Sequence, residues 1–377
     1  MVAHTFEAPR QTPRLSLQAR AGWLHSPVID FLGLGGGSLI ALVLAAVFLD
    51  PETMYGGALV GAMWLAHVIN HPHFAHSYQI FYANFPDKLR GRGYAPGLRA
   101  RYWFAGVVAP VGLAAAFSLA YAIQSAAMLA GMVNVMFFLV GWHYVKQGYG
   151  MAMLDAVLKK RFYSGTEKKI LLVNGYATWI CAWIYLNVTL DARDFWGLNI
   201  PVFAIPEPLF HLSIAAAAAS FMGVLAAGVR RLAVTRTPPA WNGLVAYAAS
   251  LYPWLLFRDV NIVYFAFVPA FHSLQYMTVV WRYKLNEFNA DADANAEGRS
   301  PVKRVAVFYA LAAVIGLAGF WGAPVALSMA TDYGKAALGA AVFLIIVWAF
   351  INVHHYLMDN VMWRKGNPDV AARLFNA

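Results

Sequence analysis

The sequence predicts an all-α protein, a polytopic transmembrane bundle of about ten helices with both termini in the cytoplasm. Three observations lead there. The chain is 60% hydrophobic and only 12% charged, whereas a soluble chain carries roughly a quarter charged residues. Its apolar residues gather into runs near the length of about twenty needed to cross a bilayer. Its basic residues fall between those runs, in alternate loops, as the positive-inside rule requires.

The runs lie at approximately 31–50, 57–82, 103–123, 126–150, 170–190, 208–230, 242–257, 260–283, 303–328 and 336–359. Only Arg258–Asp259 separates the seventh from the eighth. Lys88, Arg90, Arg92, Arg99 and Arg101 follow the second run, and Lys159, Lys160, Arg161, Lys168 and Lys169 follow the fourth. Arg230, Arg231 and Arg236 follow the sixth, and Arg282, Lys284, Arg299, Lys303 and Arg304 the eighth. Arg364, Lys365 and Arg373 follow the tenth, while the intervening loops hold only Arg193, Arg258 and Lys335. This alternation divides the chain into a cytoplasmic segment 1–30, one transmembrane domain 31–359 and a cytoplasmic tail 360–377.

No small-residue cleavage site closes a short apolar region near the N-terminus, so the first run reads as a retained helix. The expected location is a bacterial inner membrane, as a multi-pass protein. The net charge of +10 follows from topology, and nucleic-acid binding is not expected. The single Cys181 excludes an intramolecular disulfide framework. The loop 286–301 alternates Asp, Ala and Asn and reads as flexible. It lacks the sixth-position glycine and twelfth-position glutamate of a calcium loop.

Eight of the eleven histidines form four clusters: His67, His71, His73 and His76; His143; His272; and His354–His355. Each lies in the later half of a run that the loop charges direct from outside to cytoplasm. His272 and His354 each precede a basic residue, Arg282 and Arg364, by ten positions, which places them about 15 Å from the cytoplasmic boundary. His71 and His143 lie at comparable depth. Ionisable groups at membrane depth are costly and usually functional, and imidazole is the commonest transition-metal ligand. A lone helical histidine also serves as a packing residue bonded to a neighbouring helix, and that role stands open for each one singly. Eight at one depth exceed what packing needs, so all eight are candidate ligands.

His67 and His71 share a helix face, and Pro72 is expected to kink the helix and rotate His73 and His76. Asp359 is a candidate ligand or base, and Gln147 and Gln275 are candidates to orient ligands. Asn70 and Asn352 are further partners that could fix imidazole tautomers, and Tyr78, Tyr144, Tyr276 and Tyr356 border the clusters. His211 begins a run on the outer side and is expected to stand apart. His4 reads as surface, and His25 as an interfacial contact.

Imidazoles with one carboxylate suit iron, copper or zinc better than magnesium or calcium, and the histidine count suggests two iron ions. The spacing His67-xxx-His71 and the pair His354–His355 resemble those of membrane-bound histidine-box non-haem iron oxygenases, namely the fatty-acyl desaturase and hydroxylase group and the bacterial carotene-cleaving oxygenases. The match is confined to those motifs, since His143 and His272 stand alone in Trp142-His143-Tyr144 and Phe271-His272-Ser273. The resemblance implies an oxidoreductase that activates oxygen and oxidises an apolar, lipidic substrate entering from the surrounding membrane lipids. Basic loops would receive electrons from an acidic carrier at the cytoplasmic face. Two alternatives stay open: a noncovalently bound haem or haem–copper centre, and a metal or small-solute transporter using Pro72, Pro253 or Pro269 as helix breaks.

Overall fold

Prolines inside apolar runs shape the helices that carry the histidines. A computed structural model describes residues 22–48, 51–188, 193–195, 197–200, 204–256 and 267–375. Its long helices are α1 (Pro27–Phe48), α2 (51–82), α3 (Pro96–Ala122), α4 (Ala126–Leu158), α5 (Gly165–Val188), α6 (Glu207–Thr235), α7 (Trp241–Leu251), α8 (Val268–Asn289), α9 (Pro301–Ala330) and α10 (Val342–Met362). Each predicted run overlaps one of them. Seven, namely α1, α3, α4, α5, α6, α9 and α10, are long and apolar enough to cross a membrane, as expected of a membrane protein.

Boundaries differ from expectation at capping signals. Pro96 starts α3 seven residues early, because proline suits the first helical turn. Gly339, at φ +89°, ends a separate turn, Lys335–Leu338, so α10 starts at Val342 rather than 336. The division proposed at Arg258–Asp259, the residues 260–266 and His4 lie outside the described residues. Within the loop 286–301, α8 runs on to Asn289. A helical turn, Ala292–Ala296, follows there, capped by the Asp291 carboxylate, which also pairs with Arg304 at 2.8 Å. A short antiparallel pair that the sequence reading did not anticipate, β1 (Arg193–Phe195) and β2 (Leu198–Ile200), joins α5 to α6.

Three π-helical turns end two residues before a proline: Ala66–Asn70 before Pro72, Phe104–Val108 before Pro110, and Ala318–Gly322 before Pro324. Proline has no N–H and clashes with the preceding turn, and a widened turn relieves both problems. Carbonyls freed in this way need donors from other helices, because lipid offers none. Tyr309 donates to Val68 O at 2.6 Å, Tyr82 to Gly106 O at 2.9 Å, and Trp348 to Phe320 O at 2.7 Å. His354 Nε2 donates to Ala105 O at 2.9 Å, whose partner in the π register would be Pro110. The prolines thus dictate which neighbouring side chains must be polar.

Helix α2 packs on both α8 and α10, and α10 also lies along α4. These are the four histidine-bearing helices. In its most apolar stretch α10 is 56% buried, against 11% for the peripheral α6. A break in α1 brings it against this group: Gly35, at φ +139°, sits where a Cβ would meet Ala249 Cβ at 2.6 Å and Gln275 Nε2 at 2.9 Å. Gly35→Ala is therefore expected to destabilise the protein by about 1–3 kcal/mol, through strain and overpacking. The measurement is the thermal midpoint in detergent, with Gly61→Ala, a helical position where a Cβ meets nothing within 4 Å, as the control expected to hold the midpoint or raise it slightly.

The predicted cytoplasmic side carries a buried lysine. Lys88, in the short helix Phe85–Arg90, donates to the Ile80 and Phe81 carbonyls at 2.6 and 3.0 Å and so closes the C-terminus of α2. Burial pushes its ammonium down from 10.5 to about 8, with Asp369 opposing. Between those values the unfolded chain binds more protons than the folded one, so the Lys88 contribution to stability rises with pH across pH 8–10.5. A plot of thermal midpoint against pH is expected to climb more steeply over this window in the native protein than in Lys88→Met; parallel plots would contradict it.

Candidate metal centre

Four imidazoles, one from each of α2, α4, α8 and α10, meet in the interior: His73, His143, His272 and His355, all buried. His143 Nε2 and His272 Nε2 are 3.0 Å apart. Ring centroids of His73 and His355 lie 4.4 Å apart, and those of His143 and His355 4.9 Å. One ligand atom each from His73, His143, His355 and Asp359 fall within 4.8 Å of one another.

Local sequence explains how each side chain arrives. His71 and His73 are two residues apart, hence about 200° around the helix, so one α2 segment serves two neighbours. His73 faces α8 and α10, while His71 stacks on Phe320 of α9 at 4.3 Å. On α10, His354 and His355 differ by about 100°, and only His355 points at the cluster.

Hydrogen bonds fix the imidazoles for ligation. The single Ser273 hydroxyl proton is placed to go to Asn70 Oδ1 or Pro269 O, both at 2.7 Å. Its oxygen therefore accepts from His73 Nδ1–H at 3.0 Å, which leaves the His73 Nε2 lone pair free. Asp359 Oδ1 accepts from Ser77 at 3.1 Å and Tyr276 at 3.3 Å, and Oδ2 lies 3.4 Å from His355 Nε2. Gln147 donates to His272 O at 2.8 Å and to Gln275 Oε1 at 3.2 Å; Gln275 also accepts from Ser250 at 2.9 Å and donates to Ala246 O at 3.2 Å. The two glutamines thus hold α4, α7 and α8 in register and position His272 through its backbone.

Aromatic rings jacket the cluster. Tyr144 stacks on His272 at 3.8 Å, Tyr356 on His143 at 4.8 Å, and Phe74 meets His355 edge-on at 4.6 Å. Inside this jacket His73 Nε2, His272 Nδ1 and His355 Nδ1 have no hydrogen-bond partner among the described residues, and His355 Nε2 has only the Asp359 carboxylate, 3.4 Å away. Orphaned buried polar atoms are expensive. Several convergent lone pairs beside a carboxylate are what a transition ion would satisfy, so the donor set fits a metal.

The remaining predicted ligands stand elsewhere. His354 is bonded on both sides, to Tyr78 at 2.9 Å and Ala105 O at 2.9 Å. His76 Nδ1 donates to Gln79 Oε1 at 3.0 Å, and its ring stacks on Phe308 at 4.4 Å. His67 and His71 form a separate pair with centroids 5.0 Å apart, against Trp321 and Phe320. Phe320 and Phe74, 5.1 Å apart, lie between that pair and His355. Of the other expected partners, Asn70 reaches His73 through Ser273, and Asn352 accepts from Tyr356 at 2.8 Å. His211 is exposed beside Glu207, and His25 ties the start of α1 to Thr278 O at 3.0 Å. Ser77 and Ser250 were absent from the sequence reading, and Ser273 was named there only as the neighbour of His272.

The order of these contacts implies that Ser273→Ala should weaken metal binding by about 10–100-fold while leaving every ligand in place. Chelator competition on the purified variant measures this, and unchanged affinity would contradict the tautomer argument. Comparison with protein-family models, with curated proteins and with solved structures gave no match.

Proposed function

We propose that this chain is a membrane-embedded, metal-dependent oxidoreductase, with iron held by His73, His143, His272, His355 and Asp359. The observation that carries the reading is the convergence of His73, His143, His355 and Asp359, with ligand atoms within 4.8 Å of one another. They stand beside a buried His272 whose Nε2 lies 3.0 Å from that of His143, with unpartnered ring nitrogens among the four imidazoles inside an aromatic jacket. Five donors suffice for one ion, so the reading takes one ion in place of the two suggested by the histidine count. Iron bound there would supply dioxygen activation for oxidation of a C–H or C=C bond.

The chain itself does the rest. Ser273, Ser77 and Tyr276 hold His73 and Asp359 in their ligating orientations. Tyr144, Tyr356 and Phe74 keep water from the site, which strengthens every electrostatic interaction within it. The substrate class is apolar, fatty-acyl or carotenoid-like, reaching the centre laterally from the bilayer. The full topology in this reading has ten membrane crossings with both termini in the cytoplasm, in a bacterial inner membrane. An acidic electron carrier would dock on the basic cytoplasmic loops.

Dioxygen uptake tests the chemistry. Reduced, iron-loaded protein in nanodiscs is expected to consume dioxygen faster when a fatty-acyl or carotenoid substrate is present, and His143→Ala to lose that increment. Equal uptake with and without substrate in the iron-loaded protein would remove the oxygenase reading. A Soret band in the purified protein would replace it with haem.

A further inference from the structure

A second built site lies at the C-terminal end of α4, about 22 Å along the helix from His143. The turn after α4 and the start of α7 border an open cavity of about 510 Å³, lined by Trp23, Lys159, Lys160, Arg161, Trp241 and Asn242 among others. Trp241 and Asn242 open α7, whose N-cap residue Ala240 offers no side-chain cap. The first N–H groups of a helix have no intrahelical partner, and the positive end of its dipole favours anions. The Asn242 side chain is 8% exposed, and its Nδ2 donor has no partner among the described residues.

Charge around the cavity is positive. Asp155 neutralises Lys159 at 2.6 Å and accepts the Gly243 N–H at 2.8 Å, while Lys159 also lies 4.1 Å over the Trp23 ring. Lys160 and Arg161 are left as two net positive charges. Lys160 takes a left-handed backbone conformation, φ +54°, and the turn is closed by Lys160 N–H to Val157 O and Arg161 N–H to Ala156 O. Arg161 also donates to Pro239 O at 3.3 Å, which anchors the loop to the residues preceding α7. Beside these donors, Trp241 and Phe162 are 59% and 62% exposed. Aromatic side chains next to basic ones are characteristic of the membrane–water boundary.

We propose that this cavity binds the headgroup phosphate of an anionic phospholipid, held by Lys160, Arg161, the Asn242 amide and the opening N–H groups of α7 that precede the Asp155-bonded Gly243. Trp241 and Phe162 lie against the glycerol and acyl segments, a surface that a free phosphate would not use. This site is independent of the metal centre.

Native mass spectrometry in neutral detergent tests the assignment, with phosphatidylglycerol and phosphatidylcholine of identical chains offered together. Native protein is expected to retain one phosphatidylglycerol in clear preference, and Lys160→Gln to weaken that preference about fivefold. Asn242→Asp is expected to abolish it. Lys160 is exposed and makes no side-chain contact on which the fold relies, so its variant remains informative if Asn242→Asp fails to fold. Glycerol phosphate alone should not displace the lipid. Equal retention of the two lipids, full preference in Lys160→Gln, or displacement by glycerol phosphate would each overturn the proposal.

Discussion

Replacing His355 by alanine is expected to lower transition-metal affinity by more than about 100-fold, a larger loss than removal of a partner that only orients a ligand. His355 joins His73, His143 and Asp359, and both its ring nitrogens lack other partners. The adjacent His354 provides the internal control. Its two nitrogens are committed to Tyr78 and Ala105 O, so His354→Ala should keep the metal and lose about 1–3 kcal/mol of stability by orphaning a buried carbonyl. Chelator competition and thermal midpoints on the two variants separate the roles. Metal loss in His354→Ala at unchanged stability would reverse the assignment.

The second large effect is expected at Asp359. Asp359→Asn keeps an oxygen to accept from Ser77 and Tyr276, so the packing around it survives. It removes the only carboxylate among the donors, and with it the one negative charge facing a bound cation in a low-dielectric interior. Metal affinity is expected to fall roughly 10–100-fold, with little change in thermal midpoint for the metal-free protein. Isothermal titration of metal into both proteins measures this. Equal affinities would place Asp359 outside the site.

Much of this arrangement was legible in the chain. Apolar runs separated by polar, charged loops located the helices, because the bilayer imposes their length. The interior histidines were also visible as a set. Which of them converge was harder to read, since depth is encoded in sequence but rotation about each helix axis is not. Pro72 was read as a kink; the structure answers it with a π turn that ends just before His71, while His71 and His73 part through the ordinary rotation of about 200° over two helical residues. His354 looked like half of a ligating pair, yet Pro110, on another helix, had freed the Ala105 carbonyl that claims it. That link is non-local and leaves no mark beside His354.

A local signal was nonetheless available. Each converging histidine has a polar residue four positions later: Ser77 after His73, Gln147 after His143, Tyr276 after His272 and Asp359 after His355. Residues so spaced share a helix face, so the pattern marks the face that looks inward. His71, His76 and His354 lead instead to Ala75, Ile80 and Met358 and stay outside the cluster, while His67, followed by His71, is the exception. The role of Ser273 escaped notice because it acts across helices, on His73 of α2 from its place on α8.

X-ray absorption at the metal edge of the purified native protein tests the central claim most directly. A single ion per chain with four imidazole nitrogens and a carboxylate oxygen at about 2.0–2.2 Å, and no metal–metal scattering, is the expected result. A sulfur or porphyrin coordination shell, or protein that takes up no stoichiometric transition metal, would contradict it.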